Sequence, residues 1–235
     1  MKSKKKAVLI AMCTILLVAT SALGTFAYLT DSEAVENTFT VGRVGLKLDE
    51  AAVKPDGSYE TDHDTRRQKN EYHLLPGHTY CKDPTVTVEA NSEAAYIRMI
   101  VTVERIDRLK EAFPKSEQLE YYGEEDIFLL QKLCADKDGK CTWDPNEWKI
   151  QSYSESADGK TGVYEFRYKE IVQKSAQATV LPDLFTHITV PGEVNSTHLA
   201  YLKDVKIVVN AHAMQADGFE NDENSAWEAF GKQKP

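Results

Sequence analysis

The stretch AYIRMIVTVE, residues 95–104, decides the fold. Ile97, Met99, Val101 and Val103 fall on one side of a period-two pattern, and Arg98, Thr102 and Glu104 fall on the other. Strict alternation over ten residues is the signature of a strand with one buried face, and the β-branched and aromatic content agrees. Just before it, Val86 and Val88 share one face of a shorter strand, and Asn91-Ser92-Glu93 reads as a tight connection. The two runs together are expected to form a hairpin.

The same pattern recurs outward from this pair. Upstream, Thr38-Phe39-Thr40-Val41 alternates, and Val44, Leu46 and Leu48 resume with shifted parity, as a bulge near Gly42 would produce. Residues 51–71 are polar: Pro55, Asp56 and Gly57 make a turn, and His63, Arg66, Arg67 and Lys69 lie in a mixed-charge loop. Leu75-Pro76-Gly77 is a second turn. Downstream, Ile106, Leu109 and Phe113, and then Ile127, Leu130 and Cys134, fall at helical spacing, the second set after Glu124, Glu125 and Asp126, which suit a helix N-terminus. Strands then return at Trp148 and Ile150, at Tyr164, Phe166 and Tyr168, at Phe185, Ile188 and Val190, and at Val205, Ile207, Val209 and Ala211. The tail from Asp217 is acidic apart from Trp227 and Phe230, which could fold back onto the body. Short strands, long loops and no βαβ rhythm predict an all-β antiparallel sandwich with one or two short helices inserted.

The first thirty residues are of another kind. Lys2, Lys4, Lys5 and Lys6 precede an uncharged run from Ala7 to Thr30, and Thr25 and Ala27 stand at the −3 and −1 positions of a small-residue cleavage site ahead of Tyr28. A basic n-region, an apolar h-region and small residues at the cut describe a signal peptide over 1–27, an N-terminal helix removed on export. Left uncut, the same run is long enough to anchor the chain in a bilayer. The expected layout is therefore a signal over 1–27, an extended segment over 28–38, a sandwich over 39–216 and an acidic tail over 217–235.

Charge and chemistry narrow the function. Of 235 residues, 28 are Lys or Arg and 37 are Asp or Glu, for a formal charge of −9. Losing the signal removes four lysines and no acid, so 24 cations face 37 acids and the body carries −13. Such a balance excludes a nucleic-acid surface and a polybasic membrane surface. No H-E-x-x-H, G-x-S-x-G or glycine-rich phosphate loop occurs, so no catalytic residue is assigned and the chain is read as a non-enzyme. No cofactor is expected. The nearest approaches to metal ligands are His73 and His78, flanking the Pro-Gly turn, for zinc, and Asp136 and Asp138, in a D-x-D-G turn, for calcium. Cys134 and Cys141 bracket a polar hexapeptide and could close a disulfide in an oxidising compartment, which leaves Cys81 unpaired.

Several segments resemble one family. Gly24 to Asp31 followed by Asn37-Thr38-Phe39-Thr40-Val41-Gly42 is similar to the processing region and first strand of the TasA/camelysin proteins. Leu75-Pro76-Gly77, Lys82-Asp83 and the run from Val86 to Val103 resemble that family's P-G turn and following strands, and Val208 to Ala213 through Phe219 resembles its C-terminal strand. The resemblance implies a jelly-roll sandwich of a Gram-positive bacterium, cleaved by the signal peptidase SipW, tied to the membrane only before cleavage, and secreted to the cell surface or biofilm matrix. It further implies fibres made of copies of the chain, with or without an accessory matrix protein. In such fibres the freed segment of one copy, here with Tyr28, Leu29, Ala34 and Val35 as its apolar residues, adds as a strand to the next. Two alternatives stay open: a camelysin-like cell-surface metallopeptidase, and a monomeric surface or spore-associated adhesin.

Overall fold

Among the described residues, alternating β-branched and aromatic residues build ten strands in three antiparallel sheets. The computed structural model describes residues 43–112, 133–192, 194–220 and 222–232. The chain divides after Val41 into two units, and the described residues all belong to the second. Its strands are β1 (Leu46–Ala51), β2 (Arg66–Arg67), β3 (Thr79–Cys81), β4 (Thr85–Val88), β5 (Ala95–Glu104), β6 (Trp148–Glu155), β7 (Thr161–Tyr168), β8 (Thr179–Val180), β9 (His187–Thr189) and β10 (Lys206–Gln215). Three helices are described: α1 (Ile106–Ala112), α2 (Ser196–Leu202) and α3 (Glu223–Lys232).

One sheet has the order β2-β1-β4-β8, a second the order β10-β5-β7-β6, and a small ribbon pairs β3 with β9. A single apolar core draws on all three. Val86 and Val88 enter it from β4, Ile97, Met99, Val101 and Val103 from β5, Tyr164 and Phe166 from β7, and Ile188 from β9. Trp148, fully buried at the start of β6, donates its indole N–H to the carbonyl of Pro182 at 2.9 Å, so the largest core side chain leaves no polar atom unpaired. The predicted inward set of β5 is thus the centre of the protein. Its outward set, Arg98, Thr102 and Glu104, is half-exposed.

The expected hairpin does not form. β4 pairs with β1 and β8, whereas β5 pairs with β10 and β7, so the two runs lie in different sheets. The connection is a corner: Asn91 takes a left-handed φ of 59° and donates its backbone N–H to Ser175, away from β5. Alternation fixes which face of a strand is buried but not its partner. Here β5 is ten residues long and finds a ten-residue partner in β10, which a four-residue β4 could not match.

Other expectations fare differently. Pro55-Asp56-Gly57 and Leu75-Pro76-Gly77 are turns, each with glycine at positive φ. α1 occupies the first predicted helical patch, with Ile106 and Leu109 buried. The second patch, the bulge near Gly42 and the signal helix lie outside the described residues. The acidic tail is more ordered than its composition suggests. Asp222 caps α3 by accepting from the Ser225 backbone N–H at 3.1 Å, and Trp227 anchors the helix against the body.

Gly57 is the glycine the fold depends on most. At φ +85° a Cβ would stand 2.7 Å from the Tyr80 ring and 2.8 Å from the Tyr80 backbone, so neither conformation nor space admits a side chain. Gly57→Ala is expected to cost about 1–3 kcal/mol, which for a domain of this size lowers the melting temperature by roughly 2–10 °C in a thermal scan.

Candidate functional site

Two features stand out on the sheet containing β1. The first is a set of charged groups out of water. β1 reads LKLDEA, and both Asp49 and Glu50 near its end are buried, as are Lys82 and Asp83 at the entry to β4. Arg66 on β2 is the hub. Its Nε donates to Asp49 Oδ1 at 2.9 Å, its Nη1 to Asp83 Oδ2 at 2.5 Å, and its Nη2 to the Asp83 carbonyl at 3.1 Å and to the Thr85 hydroxyl. Asp83 also accepts the Ala51 backbone N–H at 2.7 Å and meets His63 Nε2 at 3.3 Å. Beside this hub, Lys82 donates to Glu50 at 2.6 Å under the ring of Tyr72. Burial alone would push the Asp49 carboxyl up, but hydrogen bonds and charge from Lys47 and Arg66 bring it below its ordinary value.

This cluster braces β1, β2 and the entry to β4. Every buried side-chain polar atom among the described residues has a partner, and Arg66 and Asp83 are engaged by one another and by Asp49, Thr85 and the Ala51 backbone. Burial, foremost, holds the Asp183 carboxyl above its ordinary value, with the Asp83 charge adding to it, and Asp183 accepts the Thr85 hydroxyl at 2.5 Å. Cys81 has its thiol pushed up by burial and makes a 3.4 Å contact with the Tyr59 hydroxyl, whose own value rises to about 12, chiefly through that contact. A thiol raised in this way is a poor nucleophile.

The second feature is a groove of about 1260 Å³. Its walls come from β1 (Leu46, Leu48), the 68–75 segment (Leu74), α1 (Leu109), α2 (Leu199, Leu202) and the start of β10 (Ile207, Val209). The backbone beside it is only partly paired. β10 ends its sheet, and β2 covers only Glu50 and Ala51 of β1, so Leu46–Asp49 has no second strand neighbour among the described residues. Five lysines (47, 69, 82, 203 and 206) and four acids (49, 50, 71 and 89) line it, a slightly cationic site on a strongly acidic chain.

The residues singled out from the sequence are distributed as follows. Thr25, Ala27, Tyr28, Leu29, Ala34 and Val35 lie outside the described residues. His73 and His78 do come together, with Tyr80 and Asp56, around a smaller cavity of about 480 Å³. Asp56, however, is engaged by the backbone and hydroxyl of Ser58 at 2.9 and 2.7 Å. Asp136 spends its carboxylate on the turn, accepting from the backbone of Asp138 and Lys140 at 2.9 and 3.0 Å, and Asp138 turns to Lys137. Among the described residues no three His, Cys, Asp or Glu side chains gather as metal ligands. Cys134 and Cys141 are thiols here. The bridge across their loop pairs Cys141 with Ala135, one residue out of step with Cys134, which is fully buried in the core.

Sequence reading missed Arg66, Asp49, Asp83, Glu50 and Lys82, because a mixed-charge loop ordinarily faces water. The signal was present at the end of β1, where two acids precede Ala51-Ala52-Val53 with no turn residue between them. No helix among the described residues is long and apolar enough to cross a membrane. Comparison with protein families, with curated proteins and with solved structures finds no match for this chain.

Proposed function

We propose that this chain is an exported structural protein of the extracellular matrix, a jelly-roll sandwich whose copies join by strand addition through residues 28–38. The observation that carries the reading is the groove between the part-paired β1 and β10, which ends its sheet among the described residues. Its volume exceeds the ~300–1,000 Å³ of ordinary small-ligand cavities, which suits an extended polypeptide. Main-chain groups of Leu46–Leu48 and of β10 that no described strand pairs supply the hydrogen bonds of an added strand, and the leucine, isoleucine and valine walls accept alternate side chains.

Charge points to the same occupant. Residues 28–38 carry Asp31, Glu33 and Glu36 and no cationic side chain, while the groove holds an excess lysine. Steering of an acidic strand by exposed lysines is screened by salt. Raising NaCl from 0.05 to 0.5 M is therefore expected to slow assembly of the chain beginning at Tyr28 by roughly tenfold in light scattering. Assembly insensitive to salt would remove the electrostatic part of the proposal.

Cleavage by a signal peptidase is the switch in this scheme, since it frees Tyr28 and the segment behind it. Negative-stain electron microscopy of the secreted, cleaved protein tests the reading. Fibres are the expected result, and a uniformly monomeric protein would favour the adhesin alternative. The metallopeptidase alternative has His73 and His78 at one cavity in its favour. It requires a chelator-sensitive caseinolytic activity lost in His73→Ala.

A further inference from the structure

The outer face of the β10-β5-β7-β6 sheet carries a contact that neither the groove nor the brace uses. Helix α3 lies against it, burying Ala226 and Trp227 beside Tyr96 and Met214. The guanidinium of Arg98 sits 4.3 Å from the centre of the Trp227 ring and 5.0 Å from that of Phe230, so two aromatic residues of α3 enclose a cation of β5. Arg98 in turn donates from Nε to Nδ1 of His212 at 3.2 Å, and the His212 ring lies 5.1 Å from Phe230. Register places His212 directly across from Arg98, and Arg98 directly across from Arg167.

We propose that α3 is a proton-released latch: the helix is held while His212 is neutral and lets go when its imidazole takes up a proton. The geometry requires a neutral ring, because Nδ1 is used as an acceptor and a protonated imidazole has only donors. Protonation replaces that hydrogen bond with two facing donors, and sets a positive ring beside Arg98 in a partly buried site. The charged groups of the elements packed around it are Arg98 on β5, Glu165 and Arg167 on β7, and Glu223, Glu228 and Lys232 on α3, while Glu104 of β5 and Lys206 of β10 pair with each other at 3.5 Å at the far end of those strands. Of these, Glu165 already serves Arg98 at 3.4 Å and Arg167 at 2.7 Å, and Glu223 reaches Arg167 and the Trp227 indole. Both of these carboxylates are engaged by arginine, and although the Glu165 charge favours a protonated ring, burial and the Arg98 charge outweigh it.

Burial, chiefly, and then the Arg98 charge hold the His212 pKa below its ordinary value while the helix is docked. The sign follows: docking is complete above the free imidazole's value of about 6.5 and is lost as pH falls through the lower docked value. Release uncovers Trp227, Phe230 and the strip formed by Tyr96 and Arg98, an aromatic helix and its matching cationic sheet face.

The test is amide hydrogen exchange of the full mature chain between pH 7.5 and 5, corrected for the intrinsic pH dependence of exchange. Protection over Glu223–Lys232 is expected to fall at least about tenfold, the equilibrium factor carried by the loss of one hydrogen bond, while Ile97–Val103 stays protected. In His212→Asn, whose amide carbonyl can accept from Arg98 without titrating, α3 is expected to keep its protection at pH 5. Unchanged α3 protection in the native chain would overturn the latch. Equal loss over Ile97–Val103 would also overturn it, as global acid unfolding. A third contrary result is the same pH-dependent loss in the Asn variant. Should that variant not fold, the imidazole nitrogen shifts of His212 in the native chain decide. Titration coincident with the loss of α3 protection supports the latch, and titration without it contradicts the latch.

Discussion

Replacing Arg66 by alanine is expected to destabilise the protein by about 3–5 kcal/mol, because it removes the cation that the buried carboxylates of Asp49 and Asp83 share and leaves Asp49 only the exposed Lys47. For a domain of this size that corresponds to a melting temperature lower by roughly 6–20 °C. The size of the effect comes from the depth of the site: the Asp83 side chain is 1% exposed and that of Asp49 6% exposed. Arg66 also fastens its neighbours together, since from β2 its donors reach β1 and the Asp83–Thr85 stretch at once. Lysine is not an adequate substitute, as one ammonium cannot reproduce the planar fork that meets both carboxylates.

The pH dependence separates lost charge from lost packing. In the native protein the folded-state value of Asp49 lies below its ordinary one. Its contribution is therefore present above a pH of about 4 and is lost as pH falls through the depressed value. In Arg66→Ala the burial of Asp49 is no longer offset by the arginine, which raises its carboxyl from the native value, so the variant's deficit is expected to shrink as pH is lowered from 7, read by urea denaturation at each pH. Adding Asp49→Asn and Asp83→Asn to Arg66→Met is expected to recover part of the loss at pH 7, since a neutral set leaves no uncompensated charge. A deficit independent of pH would assign the effect to packing of the arginine stem instead.

How much of this was readable beforehand depends on what kind of information each feature carries. Faces were legible: Ile97, Met99, Val101 and Val103 point inward as their spacing requires, and so do Tyr164 and Phe166. Partners were not, and the assumed pairing of β4 with β5 fails because two runs near in sequence and alike in pattern can belong to opposite sheets. The turns were legible wherever glycine must take a positive φ, as at Gly57 and Gly77. The brace was hidden because its members are far apart in sequence: Asp49, Arg66, Asp83 and Asp183 meet only once β1, β2 and β4 have paired. Each looks like an ordinary surface charge until then. The groove is hidden for the same reason, since its walls join residues near 46 to residues near 209. His212 shares a strand face with Val208 and Asn210 by its even spacing, but its link to Arg98 needed the register of β10 against β5.

The second large effect concerns assembly and bears on the central claim. If residues 28–38 of one copy complete the groove of the next, removing them abolishes association without disturbing the sandwich that accepts them. The decisive measurement compares two purified chains, one beginning at Tyr28 and one beginning at Val41, by sedimentation and electron microscopy at equal concentration. Strand addition predicts fibres from the first, monomers from the second, and a melting temperature shared within a few degrees by the two monomeric forms. It also predicts that a synthetic peptide of residues 28–38 halts growth of the first by occupying open grooves. Equal fibre formation by the chain beginning at Val41 would contradict the account.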